Sequence, residues 1–270
     1  MILHFSLSVI YTTVLIKQIK LNNIMYELSD IIGHQLSQNE MAIKLLELYK
    51  EKWDVCNDNI LKSMEECAMP FLIAPTNEYY NSDKRIMIIG QETNRWGGEM
   101  YGKYEIQTPE NLMNLNDIFV NIDSGYKSPF WNFINDLQKL ISDIKIVVNN
   151  IVKIGKKHGR GCDDNINNLT LQHFNILSEE IKILKPDILI FLTGPYYDTR
   201  IKAALGEMKV EPVVQSVFPS INEREFAKIT FFNDELPTAY RCYHPGYLHR
   251  SKNTENYKKI IVNLIKNHFQ

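Results

Sequence analysis

Arg85-Ile86-Met87-Ile88-Ile89-Gly90-Gln91-Glu92-Thr93-Asn94-Arg95-Trp96-Gly97-Gly98 decides the fold. Ile86 to Ile89 is an unbroken apolar run with no polar alternation, the pattern of a strand covered on both faces, as strands of parallel sheets are. Gly90 ends the run, and Gln91, Glu92, Thr93 and Asn94 then stand at the strand's carboxyl end, where open α/β sheets bind their ligands. Gly97-Gly98 lets the chain turn away. A buried strand that opens onto one carboxylate and two amides is a candidate site on chemistry alone.

Outward from this strand, the chain alternates. Ser128-Pro129 is a helix start, Ser as N-cap and Pro at the first helical position. Phe130, Phe133, Ile134, Leu137 and Leu140 follow as an apolar stripe; Phe130, at the mouth of the helix, faces either core or ligand. Asp143 to Lys153 predicts a second buried strand, broken by Asn149-Asn150, whose amides are costly in an apolar setting unless paired. Lys153, Lys156, Lys157, His158 and Arg160 then share a glycine-rich loop, which reads either as a solvated loop or, beside a ligand-bearing strand end, as a phosphate contact.

A helix over Asn168 to Leu184 is stopped by Lys185-Pro186-Asp187, and Ile188 to Leu192 is a third buried strand ended by Thr193-Gly194-Pro195. Pro195 opens a short helix to Leu205. Ile229 to Phe232 and Thr238 to Tyr243 are further strand candidates, and Asn253 to Asn267 closes the chain as an amphipathic helix. Before the first strand, Gln38 to Cys67 has helical spacing, with Met41, Leu45, Leu48 and Tyr49 recurring every three or four residues. A short helix is expected around Pro109 to Phe119. This order predicts an α/β fold, a three-layer α/β/α sandwich around a central, mainly parallel sheet.

Lys and Arg number 30 against 32 Asp and Glu, so the net field does not advertise nucleic-acid binding and any such binding must come from a local patch. Cys56, Cys67, Cys162 and Cys242 lie far apart without a Cys-x-x-Cys pair, which argues against a zinc or iron-sulfur site and leaves reduced thiols in a cytoplasmic protein as the expectation. Ile2 to Ile16 is apolar but interrupted by His4, Ser6, Ser8, Thr12 and Thr13, and shorter than the roughly 20 residues of a membrane span. Its lysines, Lys17 and Lys20, follow the apolar run, whereas a secretory signal carries them in front. Translation from Met25 is the preferred reading, with a peripheral segment and a membrane anchor as alternatives. The expected divisions are a doubtful segment 1–24, a helical cover 25–84 and the α/β domain 85–270.

Four separated blocks between Ile86 and Lys266 carry a resemblance. Gly90-Gln91-Glu92-Thr93-Asn94 is similar to the first motif of the uracil-DNA glycosylase superfamily, Gly-Gln-Asp-Pro-Tyr in its best-known branch. Asn150-Ile151-Val152-Lys153 resembles the Asn-x-Val-Lys of the iron-sulfur branch, and Leu184-Lys185-Pro186 before a buried strand resembles that branch's next element. Tyr243-His244-Pro245-Gly246-Tyr247-Leu248 followed by Arg250 is similar to its His-Pro-Ser-Tyr-Leu-x-Arg block. The chain departs from the pattern too. Ile154 stands where that branch has a cysteine, so no cluster and no cofactor is expected, and Thr93 and Asn94 replace Pro and the Tyr that excludes a 5-methyl group.

The resemblance implies a uracil-DNA glycosylase-like fold and hydrolysis of the N-glycosidic bond of uracil or a related deaminated base in DNA. Breaking that bond builds positive charge on the sugar and negative charge on the base, so an anion is needed beside one and donors beside the other. Glu92 is then the carboxylate that orients water and stabilises the sugar cation, and His244 the donor to the departing base. Gln91 adds polarity to the pocket, Phe130 stacks on the extruded base, and Asn150 pairs with its N3–H and O4. Cytosine reverses that pattern, a mismatch worth a factor on the order of 10⁴. Tyr247 and Leu248 are expected to wedge into the duplex, with Arg250, Lys153, Lys156, Lys157 and Arg160 on phosphates. DNA, single- or double-stranded, is the expected partner of a monomer with no metal and no membrane contact. The alternative is a non-catalytic nucleic-acid-binding protein with the same fold; a generic nucleotide-binding α/β hydrolase is disfavoured, since no Gly-x-Gly-x-x-Gly or phosphate-loop pattern follows the first strand.

Overall fold

The computed structural model describes residues 39–97, 107–122, 127–159, 161, 163–213 and 224–270. Arg160, Cys162 and the whole of the 1–24 segment lie outside them. The elements in chain order are α1 (Glu40–Cys56), α2 (Asn77–Tyr80), β1 (Arg85–Glu92), α3 (Pro109–Asp117), α4 (Pro129–Leu140), β2 (Lys145–Val152), α5 (Asp164–His173) and α6 (Leu177–Leu184). β3 (Ile188–Leu192), α7 (Asp198–Leu205), β4 (Met208–Pro212), β5 (Phe226–Phe231), β6 (Thr238–Cys242), α8 (Pro245–Arg250) and α9 (Thr254–His268) follow.

The strands form one mixed sheet of order β2-β1-β3-β6-β5-β4. β2, β1, β3 and β6 are mutually parallel, and β5 and β4 extend the sheet antiparallel. β1 is covered on both faces, as its apolar run predicts. Met87 and Ile89 join the cluster under α1, α5, α6 and α7, whereas Ile86 and Ile88 join the one under α4, α8 and α9. The fold is therefore α/β, with helices on each face of a mostly parallel sheet.

Local chemistry explains the boundaries. The Asn39 side chain caps α1 by accepting from the N–H groups of Met41 and Ala42, both at 3.1 Å. Ser128 caps α4 through Trp131 N at 3.2 Å, with Pro129 in the first turn. α6 ends where Lys185 turns left-handed at φ 46°.

Several expectations need correction. β2 is not broken at Asn149-Asn150 but runs through both to Val152: the Asn149 amide has buried partners, described below, and the Asn150 amide faces a cavity. Residues 168–184 form two helices, not one: the break at Phe174, Asn175 and Ile176 lets both Phe174 and Ile176 reach the core, while the Asn175 amide donates to Ala204 O at 3.2 Å. The first helix ends at Cys56 and gives way to a wider π turn over Asn57–Leu61. Leu140, expected on the buried stripe of α4, is exposed at its end. β4 adds a strand that no apolar run in the sequence predicts.

Candidate functional site

Parallel strands point their carboxyl ends the same way, so the residues that follow β1, β2, β3 and β6 meet along one edge of the sheet. At that edge lies a cavity of ≈ 250 Å³ lined, among others, by Gln91, Glu92, Phe130, Asn150 and His244. These five are the residues expected to bind a base and act on it. Gly90 permits the convergence: a Cβ there would lie 2.5 Å from Asn150 Oδ1 and 3.1 Å from Phe130 Cζ. Only a residue without a side chain lets the amide and the ring close over the strand end.

Glu92 ends β1 and accepts a hydrogen bond from the Tyr197 hydroxyl. Burial raises its pKa, and the Tyr197 bond and the positive charges of Arg200 and Lys156 work against that rise. Gln91 donates through Nε2 to Thr193 O at 2.8 Å, which ties the end of β1 to the end of β3.

His244 follows β6 and sits at the head of α8. Its Nδ1 accepts the Gly246 N–H at 3.0 Å. In the neutral ring the proton is then on Nε2, which makes the other edge of the imidazole a hydrogen-bond donor. Burial, reinforced by the Arg250 charge, lowers the pKa of His244 from 6.5 to about 4, so the ring is neutral near pH 7. Phe130 lies nearly parallel to it, with centroids 5.6 Å apart and planes at 12°.

Asn150 is buried on β2 with no hydrogen bond from its carboxamide among the described residues, so its donor and acceptor remain for a ligand. Asn149, pointing to the opposite face, is fully used. It donates to Glu180 Oε2 at 2.9 Å, and its Oδ1 accepts from Lys153 Nζ at 2.7 Å and from the Asn150 N–H at 2.8 Å. Lys153 is 2% exposed and paired with both Glu180 oxygens, at 2.7 and 2.9 Å. Tyr49 of α1 donates to the same carboxylate at 2.7 Å. Lys153 is therefore not a phosphate contact, because its ammonium is spent inside the protein.

Leu248 is also corrected. It is 1% exposed and packs with the α4 and α9 side chains, so it is not a wedge. Tyr247 and Arg250 are exposed on α8, and Tyr247 stacks on Tyr243 at 4.4 Å. Lys156 and Lys157 are half-buried; backbone pairing of Lys157 N with Glu66 O at 2.7 Å fixes their loop against the segment before β1. Arg160 cannot be placed, as it falls outside the described residues.

The cavity also holds residues that were not singled out. Phe71, Trp96, Phe119 and Trp131 line it as an edge-to-face chain, with centroids 5.0, 5.4 and 5.1 Å apart in that order. Arg95, left-handed at φ 58°, stands at its rim, and Tyr197 reaches it through Glu92. Trp96 lies just past β1, in the Arg85 to Gly98 stretch, and Tyr197 follows the end of β3, the position from which a partner for Glu92 is best sought.

Among the described residues no group of three or more His, Cys, Asp and Glu is placed to hold a metal, and no helix is long and apolar enough to cross a membrane. Cys56, Cys67 and Cys242 are buried free thiols. In comparison with known proteins, the chain matches no family model and no curated sequence.

Proposed function

We propose that the chain is a uracil-DNA glycosylase-like base-excision enzyme, hydrolysing the N-glycosidic bond of uracil or a related deaminated base in DNA. The observation that carries the reading is one cavity in which a carboxylate, a neutral imidazole donor, a carboxamide without a partner among the described residues and an aromatic ring converge from four separate elements. The four blocks that resemble the superfamily lie at the ends of β1 and β2, before β3 and after β6, along the sheet that builds this cavity.

Each group has work to do. The Asn150 carboxamide offers one donor and one acceptor, the complement of an N–H beside a C=O on the base edge. Water is consumed: its hydroxyl bonds to C1′ as the bond from C1′ to the base breaks, and its other proton ends on the base. Glu92 as an anion orients that water and balances the positive sugar. Neutral His244 donates through Nε2 to the base oxygen on which charge develops; a donor fixed before reaction needs no reorganisation in the transition state.

The test is incubation of the protein with oligonucleotides carrying one uracil, in single and double strands, followed by alkali to reveal abasic sites. Excision that falls by orders of magnitude in both Glu92→Ala and His244→Ala, with oligonucleotide binding retained, is expected. No excision of uracil or any other deaminated base would leave a nucleic-acid-binding protein in place of an enzyme.

A further inference from the structure

We infer that the rim beside the cavity is a stacking track for single-stranded nucleic acid, formed by Tyr196 and the Tyr243-Tyr247 pair, so that an unpaired strand is what reaches Glu92 and His244. This deepens the glycosylase reading and rests on it for the identity of the reacting base.

Six large apolar side chains among the described residues are strongly exposed: Ile43, Val55, Leu140, Tyr196, Phe232 and Tyr247. Only the two tyrosines lie on the segments that carry the site. Tyr196, 74% exposed, immediately precedes Tyr197, which is buried against Glu92. Tyr247, 46% exposed, is three residues past His244.

The segments touch. After β3 the chain turns at Gly194 with φ 73°, where a Cβ would come within 3.0 Å of Tyr243 Cδ1. Tyr243 in turn stacks on Tyr247, with planes at 28°. On the Tyr196 side, the Arg224 guanidinium lies 5.9 Å from the ring centroid. That segment is anchored from below, because Arg224 O accepts from buried Arg241 at 2.8 Å, and Arg241 pairs with Asp198 at 3.0 Å, two residues past Tyr196. Arg250 and Lys252, three and five residues past Tyr247, are exposed as well.

Aromatic faces with neighbouring cations recognise bases whose own faces are open and a phosphate chain beside them. In a duplex those base faces are occupied, and entry requires an apolar side chain standing proud of the surface to fill the gap left by a flipped base. α8 offers none: Leu248 is in the core, and Tyr247 is already held face to face with Tyr243.

The full chain is titrated into a fluorescein-labelled oligothymidylate of roughly 15 nucleotides, and into its duplex with oligoadenylate, with anisotropy as the readout. Excision is followed in parallel on the same two forms carrying one uracil. Single-strand binding at least about ten-fold tighter than duplex binding is expected, with roughly ten-fold losses on the single strand for Tyr196→Ala and for Tyr247→Ala, and retention in Tyr196→Phe and Tyr247→Phe. Both rings are exposed, so unchanged melting temperatures certify that the variants are folded. Duplex binding or excision equal to single-strand, or Ala variants that bind as wild type, overturns the inference while a glycosylase can stand. Tyrosine-dependent single-strand binding with no excision from either form sustains the track and overturns the glycosylase.

Discussion

The Gly246 N–H on His244 Nδ1 sets what the imidazole can do, since it leaves Nε2 as the protonated, donating nitrogen. The same burial that keeps the ring neutral makes it a liability in acid. The folded pKa of about 4 lies below the ordinary value of 6.5, so between these values the unfolded chain binds a proton that the folded one does not. Stability is therefore lost as pH falls through that window, and urea midpoints should drop between pH 6.5 and 4 more steeply in the wild type than in His244→Gln. Glu92 behaves in the opposite sense. Burial raises its pKa, so ionisation, which the proposed chemistry requires, is completed at higher pH than for an ordinary carboxylate. Tyr197 opposes that rise by its hydrogen bond, and Tyr197→Phe should shift the acid limb of the excision rate to higher pH. An unshifted limb would mean that Glu92 is not the titrating group. Glu92 was legible in the sequence because it follows the break of an apolar run, and His244 only through the resemblance of the Tyr243 to Leu248 block. Tyr197 was not, since nothing in a tyrosine after a strand says which of two neighbours turns inward.

At the scale of elements, β2 shows how side chains one residue apart are divided between support and function. Strand alternation sends Asn150 into the cavity and Asn149 to the other face, where Glu180 of α6 and Lys153 hold it and Tyr49 of α1 donates to the same Glu180 carboxylate. Lys153 looks like the first cation of a basic loop because its partner is 27 residues away on α6. Local composition cannot reveal such a pairing. Leu248 misled for a related reason: on the six residues of α8 there is too little periodicity to show which face α4 and α9 cover. Removing one buried partner strands the other. Lys153→Met should cost about 3–5 kcal/mol by denaturant unfolding, and adding Glu180→Leu should recover much of it, because two apolar side chains leave no unpaired charge. A double variant as unstable as the single would mean that Tyr49 and Asn149 depend on the carboxylate more than the ion pair does. Gly90→Ala tests the strand end itself. A new Cβ 2.5 Å from Asn150 Oδ1 displaces the amide into the cavity, so excision should fall more than ten-fold with a smaller relative change in melting temperature.

Over the whole molecule, the four parallel strands each send one group to the same edge: Glu92 from β1, Asn150 from β2, Thr193 after β3 and His244 after β6. The strand runs were legible in the sequence, but their lateral order was not, because nothing local states that β1 lies between β2 and β3. β4 stayed hidden because its sequence, Met-Lys-Val-Glu-Pro, belongs to an edge strand with one buried residue and a proline, not to an apolar run. This arrangement also bears on how the site comes apart. β1 pairs with strands that come later in the chain, and β3 pairs with β6 near its end, so cutting the sequence anywhere between β1 and β6 severs at least one ladder. One apolar cluster likewise runs from Met41 on α1 to Ala239 on β6 and includes Trp96 of the cavity wall. A chain of this size ordinarily has room for partly unfolded intermediates. With the cavity built on strands joined by these ladders, its wall has no independent unit in which to unfold. Tryptophan emission, which reports Trp96 and Trp131 in the cavity and Trp53 against the same cluster, should therefore change at the same denaturant concentration as the far-ultraviolet circular dichroism of the helices and sheet. An emission transition that comes first would show the cavity wall to be a separate, weaker unit, and the site would then owe its shape to a ligand and not to the sheet.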